Sequence, residues 1–155
     1  MYFETVQDTQ VELSILGYER PEERIQPDNH YDANWLVIRV CHTFPYGGYR
    51  FTRPCLLTWE VEHLIAWLHA VADNKHTKLA MSFTEPRIAF EVLGVDAEVA
   101  TLRITCIQAG RHERQIDMWA DLSIAVAALH TAAEALEREL EHFPPRGERP
   151  RWAYS

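Results

Sequence analysis

The chain predicts an α+β fold: a single twisted antiparallel sheet of about six to seven strands, with two amphipathic helices on its apolar face. Three observations carry this. Short stretches of alternating apolar and polar residues fill both halves, bounded by Gly, Pro, Asp or Asn. Each strand-rich half ends in one stretch whose apolar residues recur at spacings of three and four. The strands follow one another through tight turns rather than alternating with helices, which disfavours a parallel doubly wound sheet. The expected order is therefore three strands, a helix, four strands and a second helix. With 155 residues, 47% of them hydrophobic, one core suffices, and about 70% of the unfolded chain's surface can be buried without a disulfide or a metal. Residues 1–143 are expected to form that single α+β domain, followed by a basic Pro/Arg-rich tail over 144–155.

In chain order, Val11, Leu13 and Ile15 alternate with Glu12 and Ser14 up to Gly17, the pattern of a half-buried strand. Residues 20–30 mix Pro21, Glu22, Glu23, Pro27, Asp28 and Asn29 and read as a loop. Residues 35–43 are rich in β-branched and aromatic side chains, and Gly47-Gly48 is expected to turn the chain into a strand holding Tyr49 and Phe51. Pro54 is expected to end that strand, having no N–H for a ladder, and Thr58 to cap a helix. On that helix Val61, Leu64, Ile65, Leu68, Val71 and Ala72 fall on one face, Glu60 and Glu62 lie in the first turn, and Asp73-Asn74 breaks the pattern.

The second half alternates four times: Leu79, Met81, Phe83; Ile88, Phe90, Val92 up to Gly94; Ala100, Leu102, Ile104, Cys106; and Ile116, Met118, Ala120, Leu122. A four-stranded antiparallel meander follows. Ser123 is placed to cap a last helix with Val126, Leu129, Ala133, Leu136, Leu140 and Phe143 on its apolar face and Glu134, Glu137, Arg138 and Glu141 opposite, stopped by Pro144-Pro145.

Composition excludes some functions. The net charge is −8, and because the tail holds three arginines against one glutamate, residues 1–143 carry −10. A general nucleic-acid binder needs a basic surface, so none is expected. No apolar run approaches the roughly 20 residues of a membrane span. Cys41, Cys55 and Cys106 are odd in number, with no CxxC pair and no signal sequence, so reduced thiols in a cytoplasmic protein are expected.

The sequence offers little catalytic chemistry. His63 and His69, six residues apart on one helix, point to different faces and cannot share an ion. His130 and Glu134 have i,i+4 spacing, which is also that of an ordinary solvated helix face. Neighbours on a strand face opposite ways, so Cys41 and His42 make no thiol–base pair, and all three cysteines read as small apolar core or interface residues. No nucleophile elbow, phosphate loop or Walker pattern is present. Asp117 and Asp121, on one strand face, lie roughly 13 Å apart at about 3.3 Å per residue, too far for paired acid and base work. No catalytic residue, metal ligand or cofactor is assigned, and the protein is not expected to be an enzyme.

Binding features are stronger. If Ile116, Met118, Ala120 and Leu122 face the core, Trp119 points the other way between Asp117 and Asp121, as an anchor for a basic partner. The other placement open to Trp119 is beneath the N-terminal segment or a neighbouring aromatic. Glu22, Glu23 and Asp28 form a candidate acidic rim to the same surface. Trp59 and Trp67 flank the apolar stripe of the first helix and read as its core rim.

Four segments carry a resemblance: Tyr31-Asp32-Ala33-Asn34-Trp35-Leu36, Cys55-Leu56-Leu57-Thr58-Trp59-Glu60, residues 79–90 around Ser82-Phe83-Thr84-Glu85-Pro86, and Phe143-Pro144-Pro145-Arg146-Gly147. In order and spacing, over about residues 10–147, the chain resembles the WapI-type immunity proteins, a family of small bacterial proteins. The resemblance implies a cytoplasmic, non-catalytic antidote that binds the toxic domain of a contact-delivered toxin, often a nuclease. It places Asp32, Asn34, Trp35, Thr84 and Glu85 in family motifs, where turns and packing compete with binding as their role. Two other classes stay open: a small-molecule-binding protein or enzyme, and a homodimeric structural or regulatory module formed through an open sheet edge or the rim around Trp59 and Trp67.

Overall fold

The computed structural model describes residues 1–4, 9–21, 31–75, 78–109 and 115–148. Strands β1 (Tyr2–Glu4), β2 (Gln10–Tyr18), β3 (Trp35–Phe44) and β4 (Gly47–Leu57) lead into helix α1 (Thr58–Ala72), and β5 (Ala80–Ser82), β6 (Ile88–Val95), β7 (Val99–Ala109) and β8 (Gln115–Ala125) lead into α2 (Val126–Leu140). The strands form two four-stranded antiparallel sheets, each in chain order, and not the single sheet of six to seven strands expected from sequence. Alternation tells which face of a strand is buried but not which strands pair across an intervening helix. Here α1 separates the meanders and β5 pairs with β6 rather than with β4. The first half also has four strands and not three. The added strand β1 is short enough to show one period of alternation, with Phe3 buried and paired to Val11 while Tyr2 is exposed.

One hydrophobic core joins both sheets and both helices. Its strand contributions follow the expected alternation: Val11, Leu13 and Ile15; Leu36, Ile38 and Val40; Ile88, Phe90 and Val92; Ala100, Leu102, Ile104 and Cys106. From the helices, Val61, Leu64, Ile65, Leu68, Val71 and Ala72 meet Leu129, Ala133, Leu136 and Leu140, all buried. Trp59 and Trp67 are buried as well, the latter donating its indole N–H to the Lys78 carbonyl at 3.0 Å.

Local chemistry departs from expectation at several places. Pro45 and Tyr46 make the β3–β4 turn, with Phe44 paired to Gly47, so the glycine pair opens β4 rather than forming the bend. Gly48 is required there by space, because a Cβ would lie 2.6 Å from the His42 carbonyl oxygen. β4 runs through Pro54 to Leu57. It is an edge strand, and its register slips where Leu36 and Val37 pair with Leu56 and Pro54, so the missing N–H removes no regular ladder bond. Similar slips occur in β2 between Ile15 and Gly17 and in β6 between Val92 and Gly94. Each turns a leucine outward, Leu16 and Leu93, while the chain continues as strand.

The helix starts also differ. Thr58 is the first residue of α1, not its cap, and its hydroxyl donates to Asn34 Oδ1 at 2.9 Å. Glu60 caps the helix instead, its Oε2 accepting the Leu57 N–H at 2.9 Å. Ser123 belongs to β8, and α2 begins only at Val126, whose N–H reaches the Glu98 carbonyl at 2.8 Å. At the other end of α1, Asn74 takes φ 51°, a left-handed conformation that asparagine tolerates.

Candidate functional site

On β7 the residues Leu102, Ile104 and Cys106 point into the core, so Arg103 and Thr105 point out; on β8 the buried Leu122 and Ile124 leave Trp119 and Asp121 outside. The antiparallel register then aligns Glu91, Arg103 and Asp121 in one cross-strand row and Ala89, Thr105 and Trp119 in the next. Arg103 forms a fork on Asp121, with Nε to Oδ1 at 2.7 Å and Nη2 to Oδ2 at 2.8 Å. Its guanidinium carbon also stands 4.7 Å from the centroid of the Trp119 ring. The hydrogen-bonded guanidinium holds the Asp121 carboxyl below the usual carboxylate range, and the carboxylate in turn raises Arg103. Trp119 remains 59% exposed, among the largest apolar side chains open to solvent. A large exposed indole beside small Ala89 and Thr105 is an arrangement suited to anchoring a protein partner.

Of the two placements the sequence leaves open for Trp119, the structure has the exposed one, on the solvent side of the sheet. Asp121 flanks it but is already joined to Arg103. Asp117 pairs with Ile107 on the same sheet, while its side chain lies outside the described residues, as do Glu22, Glu23 and Asp28 entirely.

The family-motif residues gather elsewhere. Asn34 is fully buried: its Nδ2 donates to the Arg146 carbonyl at 2.7 Å, and its Oδ1 accepts the Arg146 N–H at 2.8 Å and the Thr58 hydroxyl. Arg146 in turn lies over the Tyr18 ring, 3.4 Å from its centroid, and donates to the Arg20 and Pro21 carbonyls at 2.8 and 3.1 Å. Tyr18 donates its hydroxyl proton to the Pro144 carbonyl and meets Phe143 edge-on at 5.7 Å. Residues 143–146 are thereby strapped to the first sheet. Trp35 and Tyr31 pack with Trp59 and Leu57 in a small satellite cluster, and Asp32 is exposed at the start of the Asp32–Asn34 3₁₀ turn. Thr84 donates its backbone N–H to Glu60 Oε1 at 2.7 Å, and Glu85 accepts from Arg87 Nε at 2.9 Å. Chemically, this arrangement ties four distant segments together.

A second cluster was invisible in the sequence. His130 faces His69 across the helix pair, Nδ1 to Nδ1 at 2.9 Å, and its Nε2 lies 3.3 Å from Asp73 Oδ1. Asp73 also accepts from Lys75 at 3.1 Å, which holds its carboxyl low. The i,i+4 partner Glu134 instead lies 3.9 Å from Arg138. Beside His69, a groove of about 510 Å³ runs between the helices and Pro144 and Pro145, floored by Ile65, Ala66 and Leu140 and edged by Glu62, Glu137 and Glu141. Only the interhelix contact, unreadable from one helix's periodicity, unites these groups. Among the described residues no group of three or more His, Cys, Asp or Glu side chains is placed to hold a metal ion, and no helix is long and apolar enough to cross a membrane.

The cysteines divide. Burial pushes the Cys55 thiol up to about 12 and the Cys106 thiol up to about 11, a state that makes neither nucleophilic at neutral pH. Cys41 is half-buried and on the outer side of β3, whereas His42 takes the inward position expected of an apolar residue. The alternation that buries Leu36, Ile38 and Val40 dictates this phase.

Residues 3–144 match the model of a protein family described as the immunity protein WapI-like family. No curated protein and no solved structure matches the chain.

Proposed function

The chain belongs to the WapI-like immunity protein family, and from that premise we propose that it neutralises a bacterial toxin domain by binding it in the cytoplasm, without catalysis, through the outer face of the β5–β8 sheet. Membership implies a toxin protein as partner in general. The observation that carries the choice of surface is Trp119, exposed on the outer strand face with the Arg103 guanidinium over its ring. Interface energy concentrates on a few large side chains, tryptophan foremost, and here an exposed indole stands among charged groups that can orient a partner. Asp117 and the Glu22, Glu23 and Asp28 loop are the acidic rim in this reading. A nuclease is the toxin class best matched to a body carrying −10, because a phosphate-binding site is basic and an acidic surface both steers toward it and covers it.

A toxin domain sought among the reading frames neighbouring this chain's gene, co-expressed and titrated with the purified chain, tests the reading. Trp119→Ala is expected to weaken binding by about 2 kcal/mol or more, the hot-spot threshold, with little change in fold stability. Full-strength binding by a folded Trp119→Ala protein places the interface elsewhere.

A small-molecule role draws on a different observation, the groove between α1 and α2 with His69 and three glutamates around an apolar floor. Filling it separates the two. Ala66→Trp leaves toxin neutralisation intact if the sheet face is the interface and abolishes function if the groove is the site.

A further inference from the structure

The cross-strand row on the outer sheet face holds two carboxylates, Glu91 and Asp121, around a single guanidinium, that of Arg103. Both side-chain hydrogen bonds of Arg103 go to Asp121, while Glu91, paired directly with it on β6, acts on it through space and raises it further. The row is one cation short. It also shows what that cation looks like, because the chain's own arginine sits in a receptor with two parts: a carboxylate fork, and an indole face 4.7 Å from the guanidinium carbon. Resting on the binding role given above, we infer that Arg103 is a placeholder in an arginine-binding site, and that an arginine from the partner protein takes its position against Trp119 and Asp121 while Arg103 turns to Glu91.

The physical case is one of small differences. Arg103 and Asp121 are a solvent-accessible pair, with side chains 37% and 36% exposed, so their mutual attraction is screened and the exchange barrier is low. Glu91 gives the displaced guanidinium a second carboxylate directly across the strand, so no charge is stranded. The partner's guanidinium gains the same fork, and its arrival leaves the row neutral. Lysine fits less well: a point ammonium cannot fork the carboxylate or lie flat on the ring. The site therefore selects arginine over lysine on a basic surface, a finer criterion than charge alone.

The test uses the full chain with 15N-labelled tryptophan indoles, titrated with capped triarginine and capped trilysine peptides. The Trp119 indole signal, identified by its loss in Trp119→Ala, is expected to shift with triarginine and much less with trilysine. Arg103→Ala empties the receptor and is expected to tighten triarginine binding by about fivefold, the scale of one exposed ion pair. Glu91→Gln, removing the alternative seat of Arg103, is expected to weaken binding more in the wild-type background than in Arg103→Ala, where only its general attraction for a cation is lost. Equal response to the two peptides, or weaker triarginine binding by Arg103→Ala, overturns the inference. The toxin arm keeps the two claims apart. If toxin binding ignores Trp119, the sheet-face reading fails. If it depends on Trp119 but Arg103→Ala weakens it, the placeholder alone fails and Arg103 is itself a contact.

Discussion

The side-chain amide of Asn34 pairs with both backbone groups of Arg146, donating to its carbonyl and accepting from its N–H, as a neighbouring strand would. It does so while wholly buried and while accepting a third bond from Thr58. One side chain thus joins the entry to β3, the start of α1 and the segment beyond α2. The Asn34→Ala change leaves the Arg146 N–H, the Arg146 carbonyl and the Thr58 hydroxyl without their partner. Each unsatisfied group costs about 1–3 kcal/mol where water cannot reach it. Because Arg146 is partly accessible, a total of about 3 kcal/mol is expected, measured by urea unfolding. A loss under about 1 kcal/mol contradicts a structural role for this residue.

Glu60 performs a similar task between the two halves. Its carboxylate accepts the Leu57 N–H with one oxygen and the Thr84 N–H with the other, capping α1 and fixing the loop before β6 at once. Glu60→Gln keeps an acceptor for only one of these amides, and Glu60→Ala keeps none. A graded destabilisation is expected, about 1 kcal/mol for Gln and about 3 kcal/mol for Ala. Equal effects of the two changes show that one of the bonds contributes nothing.

These two residues also mark where the sequence stopped being legible. Amphipathic faces were readable because burial follows period: Leu64, Leu68, Leu136 and Leu140 lie where spacing puts them, and Trp119 faces solvent because Leu122 and Ile124 do not. Partners across the fold were not. The Arg103–Asp121 fork depends on β7–β8 register, the His69–His130 contact on helix packing, and the split into two sheets on which strands meet after α1. Start signals misled at Thr58 and Ser123 because capping residues are equally at home donating from a helix or standing in a strand. The family segments had no visible reason to share a motif until Asn34, Glu60, Thr84 and Arg146 were seen to bond to one another or through Thr58 and Leu57.

The cysteines predict a labelling order. Cys55 and Cys106 are fully buried, with thiols pushed far above neutral pH, whereas Cys41 is half-buried on the outer side of β3. Alkylation by iodoacetamide at pH 8, followed by mass spectrometry, is expected to add one label to Cys41 in the native protein and to reach Cys55 and Cys106 only in denaturant. Native labelling of Cys106 at the rate of Cys41 contradicts the packing of β7 against the core.

His42 makes stability pH-dependent. The residue is 5% exposed on the inward face of β3, with Phe44 and Tyr49 edge-on to its ring at 5.2 and 5.1 Å, and its Nε2 has no hydrogen-bond partner among the described residues. Burial lowers its pKa below the ordinary 6.5, since a charged imidazole there loses its hydration. The unfolded chain therefore takes up this proton first. Above about pH 6.5 the ring is neutral in both states and stability is complete. As pH falls from there, the unfolded state gains a proton the folded state refuses, and stability declines by at most about 1.4 kcal/mol per pH unit. The decline from this group ends once pH drops below the folded-state pKa, where the ring is charged in both. His42→Phe keeps an aromatic ring between Phe44 and Tyr49 and removes the titration. Urea midpoints at pH 7 and pH 5 should then differ less for His42→Phe than for the wild type, whatever its absolute stability. The carboxylates of Glu12, Asp73, Asp96 and Asp121, all held low, lose their protonation-dependent contribution mainly at pH below this window. An unchanged midpoint difference means that His42 does not reach the core when the protein is in solution.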